Sequence, residues 1–395
     1  MTTANHAKGV AMSVLSRVTV TAAVVAALTA GSISTAAGQT GAAKKKVFID
    51  QDGAALGTDM ISTLAMLQAP DVEVLGITVT AGDAWVKAGT AHMLRMLELT
   101  GHGDTPVASG AAFPLINSRE QTAAWEAQYG EFSYKGAWNP GRYHEPDAVP
   151  TPPTGATTLK PIDLHGALFM IQQIRKYPGE VTLWVGGPFT TVALALGLDP
   201  EIATLAKELV LMGAGFNVGQ GGNHRINGRR EFNWWWDPEA TRIAMSAPWK
   251  KIVITPVDIS VKTSLSDDLK RRLAASNAKA AQFVATFHPP GPGGGGGFMW
   301  DEISVLAFLD PSVITQQQQL YVNIDIDHGP GYGQTIFVED VVPGQPPRPR
   351  TMPSWWRVAT VQWDLDLKKF YDQFFTLMTS DAPPRSNRPV APPRQ

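Results

Sequence analysis

The segment Val47-Phe48-Ile49-Asp50-Gln51-Asp52-Gly53 places two carboxylates one residue apart at the end of an apolar run. Strand side chains alternate between faces, so Asp50 and Asp52 are expected to point to the same side. Asp59 follows at the start of the next helical stretch, and Asp301 opens another, Glu302 to Leu309, far down the chain. Taken singly, an aspartate before a helix is most simply an N-cap, and a buried one a hydrogen-bond acceptor. Several in one place imply more, because clustered carboxylates repel unless a proton or a cation intervenes. Oxygen donors select a hard ion such as Ca²⁺ or Mg²⁺. Cysteine is absent, so neither thiolate ligands nor disulfides are available.

Such residues need a scaffold that brings them together. The chain has 395 residues, 44% hydrophobic and 17% charged, enough to bury a sizeable core. Val47 to Ile49, Val72 to Val79, Val181 to Val185, Leu209 to Met212 and Ile252 to Val257 read as strands buried on both faces. Met60 to Leu67, Ala88 to Leu99, His165 to Lys176 and Pro238 to Met245 carry helical spacing between them. The alternation predicts an α/β fold, an open, mostly parallel sheet with helices on both faces. Reactive residues of such sheets collect in the crevice beyond the carboxyl ends of the strands.

Three stretches fit no regular element. Glu131 to Thr158, rich in Pro, Gly and aromatics, reads as a long surface loop or lid. Pro289 to Gly297 reads as a loop that moves or folds over a ligand, and the proline-rich tail Asp381 to Gln395 as disordered. At the other end, Lys8 and Arg17 precede the apolar run Val18 to Leu28, and small residues follow from Ser34 to Gly38. That is the layout of a secretory signal peptide, with cleavage near Ala36 or Ala37. The run is shorter than a transmembrane anchor needs and is interrupted by Thr19 and Thr21; retention as an uncleaved, lipid-facing anchor is the alternative reading. The expected organisation is a signal peptide at 1–37, one domain at 44–380 and a tail at 381–395, in a secreted or periplasmic protein. A net charge of −2 leaves no basic excess for a nucleic-acid backbone or an anionic membrane.

Asp50-Gln51-Asp52-Gly53 followed by Asp59, then Val74-Leu75-Gly76-Ile77-Thr78 and Ala81-Gly82-Asp83, resembles the amino-terminal signature of inosine-uridine-type nucleoside hydrolases. Gly186-Gly187-Pro188-Phe189-Thr190, Val210-Leu211-Met212-Gly213, Arg230-Glu231-Phe232-Asn233 with Asp237-Pro238-Glu239-Ala240, and Met299-Trp300-Asp301-Glu302 match later blocks of that family in order. The resemblance implies a Rossmann-like nucleoside hydrolase fold and cleavage of a ribosyl C–N bond. It also implies Ca²⁺ held by Asp52, Asp59, the Gly186 carbonyl and Asp301, with Asp50 beside them. Asp52 would be the general base, taking a proton as water attacks the anomeric carbon. Glu231 and Asn233 match residues that grip the sugar, with Asn227 or Asn223 as a further amide, Asp83 near the same subsite and Trp234 as a stacking face for the base. The implied partner is a small nucleoside or ribosyl molecule. A homo-oligomer is compatible with the pattern; nucleic acid and stable membrane insertion are not expected.

The departures from the family pattern are specific. Thr58-Asp59 stands where the family has adjacent aspartates, and the loop between Asp52 and Asp59 is longer. Asp83 stands where classical members carry an asparagine. Trp300 occupies the place of a histidine that protonates the leaving base in many purine-cleaving members, which leaves His224 and His328 as candidates. Asp50-x-Asp52-Gly53 also fits the haloacid dehalogenase pattern of phosphoryl transfer, although Ala54 follows where that family has Gly-Thr. A third reading is an exported protein that keeps the sugar pocket and has lost turnover.

Overall fold

The five apolar runs become strands, and with four further ones they make a nine-stranded sheet among the described residues: β1 (Lys45–Gln51), β2 (Val72–Val79), β3 (Val107–Ser109), β4 (Val181–Val185), β5 (Glu208–Met212), β6 (Ile252–Thr255), β7 (Ile314–Ile324), β8 (Thr335–Glu339) and β9 (Arg357–Leu365). These come from a computed structural model that describes residues 43–53, 57, 59–139, 145–152, 154–216, 229–288, 297–339 and 352–381. The strand order is β3-β2-β1-β4-β5-β6-β9-β7-β8. Every pairing from β3 to β9 is parallel, and β7 runs antiparallel to both β9 and β8.

This order has a functional consequence. From β1 the chain first builds outward through β2 and β3, then returns to lay β4 on the opposite side of β1. The loops leaving the carboxyl ends of β1 and β4 therefore diverge and open a crevice at the switch point. Asp50 lies in that row, level with Thr78 on β2 and Val185 on β4. Alternation along β1 divides the core: Val47 and Ile49 pack into one apolar layer and Phe48 into the other. The first layer includes the helices Met60–Gln68 and Leu367–Thr379, the second Gly166–Lys176 and Pro238–Ser246.

The observed elements differ from the sequence expectation where chemistry intervenes. The run expected to extend to Val257 ends as a strand at Thr255, because Pro256 cannot donate to a ladder, and Val257–Ser260 turns helical. The antiparallel β7 was not legible: its first half carries Gln316 to Gln319, which face solvent and show no apolar alternation. The stretch expected to be a surface loop at Glu131 to Thr158 contains a 3₁₀ turn, Gly136–Trp138. It also sends Phe132, Ala137 and Trp138 inward, into an aromatic cluster with Trp85, Trp125, Trp235 and Trp236. Burial of those large rings offsets the entropy of ordering the segment. Among the described residues no helix is long and apolar enough to cross a membrane. The expected signal at 1–37, nearly all of Pro289 to Gly297 and the tail beyond Asp381 lie outside the described residues.

Candidate active site

Asp50 ends the apolar part of β1 and is fully buried. Its Oδ1 accepts the Thr78 hydroxyl at 2.5 Å, and Oδ2 has no hydrogen-bond partner among the described residues. Burial pushes its carboxyl up to about 7, partly offset by Thr78. Its carbonyl accepts the Gly186 N–H at 2.9 Å, which ties the end of β1 to the loop after β4.

Asp52 sits just past the strand, held from two sides. Its Oδ2 accepts the backbone N–H of Asp83 at 2.9 Å, and its own N–H donates to the Gln51 side-chain oxygen at 2.8 Å. Gly187 approaches so closely that a Cβ there would lie 2.9 Å from the Asp52 Cβ, and one on Gly82 would overlap Oδ2. Only glycine permits both approaches.

Asp59 and Asp301 occupy the N-cap positions of the helices Met60–Gln68 and Glu302–Leu309, yet neither side chain caps its helix. By contrast, Asp237 caps Pro238–Ser246 through the Ala240 N–H, and Asp366 caps Leu367–Thr379 through that of Lys369. The Asp59 carboxyl instead lies among those of Asp83, Asp301 and Asp52. The Gln51 Nε2 donates to Asp301 Oδ2 at 2.9 Å, to the Asp59 carbonyl at 3.0 Å and to the Ser62 hydroxyl at 3.2 Å.

Asp52, Asp59 and Asp301 are all buried, and their carboxyls stand well above the ordinary carboxylate range. Burial is the largest cause in each, and neighbouring charges add to it. Asp83 and Asp301 raise Asp52; Asp83, Asp301 and Asp52 raise Asp59; Glu302, Asp83 and Glu231 raise Asp301. For Asp50, burial is what raises the carboxyl and the Thr78 hydroxyl what restrains it. Among the described residues no lysine, arginine or histidine forms an ion pair with Asp52, Asp59, Asp83 or Asp301.

The opposite wall is built by the short helix Phe232–Trp236. Glu231 caps it, accepting the Asn233 N–H at 2.8 Å and the Trp234 N–H at 3.2 Å, and also accepts from Ala214 at 3.1 Å. Ala214 has φ of 69°, a left-handed conformation unusual for alanine, so the Glu231 clamp secures a strained turn after β5. Burial drives the Glu231 carboxyl up to about 7, against those three amides. The Asn233 amide reaches the carbonyls of Gly186 at 3.3 Å and Met212 at 3.4 Å, joining this wall to the loops after β4 and β5.

A model of the family described as inosine-uridine preferring nucleoside hydrolase matches residues 47–372. The chain belongs to this family. It is 30% identical over 279 residues to a probable uridine nucleosidase of Arabidopsis thaliana, covering 69% of this chain and 80% of the relative. It is 26% identical over 313 residues to the pyrimidine-specific ribonucleoside hydrolase RihB of Escherichia coli, covering 77% and 90%. A purine-preferring ribonucleoside hydrolase from Gardnerella vaginalis shares the fold with a TM-score of 0.65 at 23% identity, covering 85% of this chain and 98% of that one. A plant nucleoside hydrolase superposes with a TM-score of 0.65 at 22% identity, covering 85% and 99%. This nucleoside hydrolase is thus an enzyme, a hydrolase of N-glycosyl compounds, and the phosphoryl-transfer reading falls away.

The remaining expectations divide. Trp234 is fully buried in the core layer around Ala214 and Ala240, so it presents no open stacking face. Trp235 and Trp236 are buried in the aromatic cluster. Asn227, Asn223, His224 and Thr58 lie outside the described residues. His328 lies against Glu239, 3.6 Å away, and stacks on Tyr332 rather than joining the carboxylates. Gln51, Thr78 and Tyr134 were missed. Gln51 and Thr78 stand inside the blocks that carry the family resemblance, whereas Tyr134 had no sequence signal.

As they stand, no three or more acidic or histidine side chains among the described residues are arranged to hold a metal ion. The chemistry of the set nevertheless fits a hard divalent cation: its donors are all oxygens, neighbouring carboxylates raise each of them, and among the described residues no cationic side chain pairs with them.

Proposed function

We propose that the chain hydrolyses the N-glycosidic bond of a ribonucleoside or related N-riboside to free base and ribose, with Asp52 as general base. The observation that carries this is the gathering of the buried carboxyls Asp52, Asp59 and Asp301, tied through Gln51 and the Asp83 N–H at the switch point of the sheet, with no ion-pairing cationic side chain among the described residues. Calcium would be held by Asp52, Asp59, Asp301 and the Gly186 carbonyl, with Asp50 beneath. When bound, such an ion lowers the pKa of a coordinated water and offsets the carboxylates.

The residues of the chain supply the rest. Asp52, fixed through Oδ2 by the Asp83 N–H, keeps Oδ1 as the oxygen that takes the proton of the attacking water. Cleavage of the C–N bond leaves positive charge on the ribosyl ring, and the flanking carboxylates stabilise it. Asn233 and Glu231, rigidly tied to the β4 and β5 loops, form the sugar side. Chromatographic detection of free base from uridine and inosine tests the reading: activity is expected to vanish with a chelator and return with Ca²⁺. Full turnover in a metal-free preparation would sink it.

We also infer that residues 1–37 direct export, so that the domain at 44–380 acts outside the cytoplasm. The mature amino terminus is expected between Ala36 and Ala43, and an exported product retaining Met1 contradicts this.

A further inference from the structure

The irregular segment around Gly136 is fastened to the turn that carries Asp83 by several independent contacts. The Tyr134 hydroxyl donates to Asp83 Oδ1 at 2.6 Å. The Ala137 N–H donates to the Gly82 carbonyl at 2.8 Å. Gly136 takes φ of 52° where a side chain would strike that same carbonyl and the Phe232 ring. Phe232 in turn packs edge-on against the Tyr134 ring, with centroids 5.0 Å apart. Asp83 passes the restraint on, since its N–H holds Asp52 Oδ2 and its carboxyl group is hydrogen-bonded to that of Asp59.

An asparagine, the classical residue at position 83, carries its own N–H donors; an aspartate carries none and adds a charge to a crowded cluster. A hydroxyl brought in from the distant segment donates to that carboxylate and steadies it. We propose that Tyr134 is a substrate-positioning residue acting through Asp83: by holding Oδ1 it fixes the direction in which the remaining lone pairs of that carboxylate meet a hydroxyl of the bound pentose. The proposal rests on the ribonucleoside reading above and assigns the aromatic segment a role in sugar recognition.

The test is a double-mutant cycle of Tyr134→Phe and Asp83→Asn on the calcium-loaded enzyme, with kcat and KM measured separately. Tyr134→Phe is expected to raise KM about tenfold or more, the scale of a hydrogen bond to a charged group, with kcat changed less than about threefold. In the Asp83→Asn background the same substitution should change KM less than about twofold, since a neutral amide holds the hydroxyl far less tightly than a carboxylate does. An equal factor in both backgrounds, or a loss confined to kcat, overturns the proposal. Failure of the parent reading is separately visible, as wild-type enzyme that releases no base. The cycle is then read through ribose affinity by calorimetry, where the same coupling supports the assignment and unchanged or absent binding overturns it.

Discussion

Gln51 and Asp301 stand 250 positions apart and meet at 2.9 Å, the side-chain amide of one donating to the carboxylate of the other. The same nitrogen holds the Asp59 carbonyl, and the oxygen of that side chain receives the Asp52 N–H. One neutral residue thus aligns three acidic positions without adding charge. Gln51→Leu fills similar space but leaves these groups unsatisfied. It is expected to cost about 2 kcal/mol or more in stability and more than about tenfold in turnover. Thermal unfolding and steady-state kinetics measure both, and a variant indistinguishable from wild type would show that the strands alone suffice.

Asp52→Asn keeps the shape and an acceptor for the Asp83 N–H but removes the base. Turnover is expected to fall at least about a hundredfold. In a chelator the variant should melt higher than wild type, because one of the mutually repelling carboxylates is gone. The opposite signs of the two effects separate lost chemistry from lost folding. Near-normal turnover would move the role elsewhere.

Asp301→Ser distinguishes a cap from a cation ligand. Since the Asp301 side chain makes no capping hydrogen bond, removal should not incur the roughly 1 kcal/mol that a lost cap costs. The variant is expected to fold normally and to bind Ca²⁺ far more weakly, with little nucleoside cleavage. Calorimetry showing wild-type calcium affinity would remove Asp301 from the ion site.

The pH dependence of stability has a defined sign. The Asp50 carboxyl is pushed up to about 7 in the fold, against about 3.9 in an unfolded chain. Asp52, Asp59 and Asp301 are displaced in the same direction. Between those limits the folded state holds more protons than the unfolded one. The contribution of Asp50 is therefore fully present below about 4 and is lost as pH rises through about 7. The melting temperature of chelator-treated protein should fall across that window relative to calcium-loaded protein, in which the cation offsets the carboxylates. Parallel curves with and without calcium would contradict the assignment. The comparison cancels acids held low by surface partners, such as Asp199 beside Arg175 and Asp364 beside Lys262.

Local pattern alone was enough for β1, β2, β4, β5 and β6, because strands buried on both faces must be apolar throughout, as in Val181–Val185, but not for β3 and β9, which complete the parallel part of the sheet. The spacing of Asp50 and Asp52 at a strand end was legible too, but not that Asp50 is held by Thr78 while Asp52 is held by the Asp83 N–H. The antiparallel β7 escaped because its glutamines face solvent and carry no burial signal. Whether Asp59 and Asp301 cap helices or join other carboxyls could not be read locally, since both roles place an aspartate before a helix; packing across the switch point decided it. The same holds for Trp234, whose neighbours in the chain are equally aromatic and whose burial depends on the β5 layer. Tyr134 and Gln51 are polar residues without a local pattern. Their roles exist only because folding brings Asp83 within 2.6 Å of one and Asp301 within 2.9 Å of the other, contacts that depend on tertiary packing rather than on neighbours in sequence.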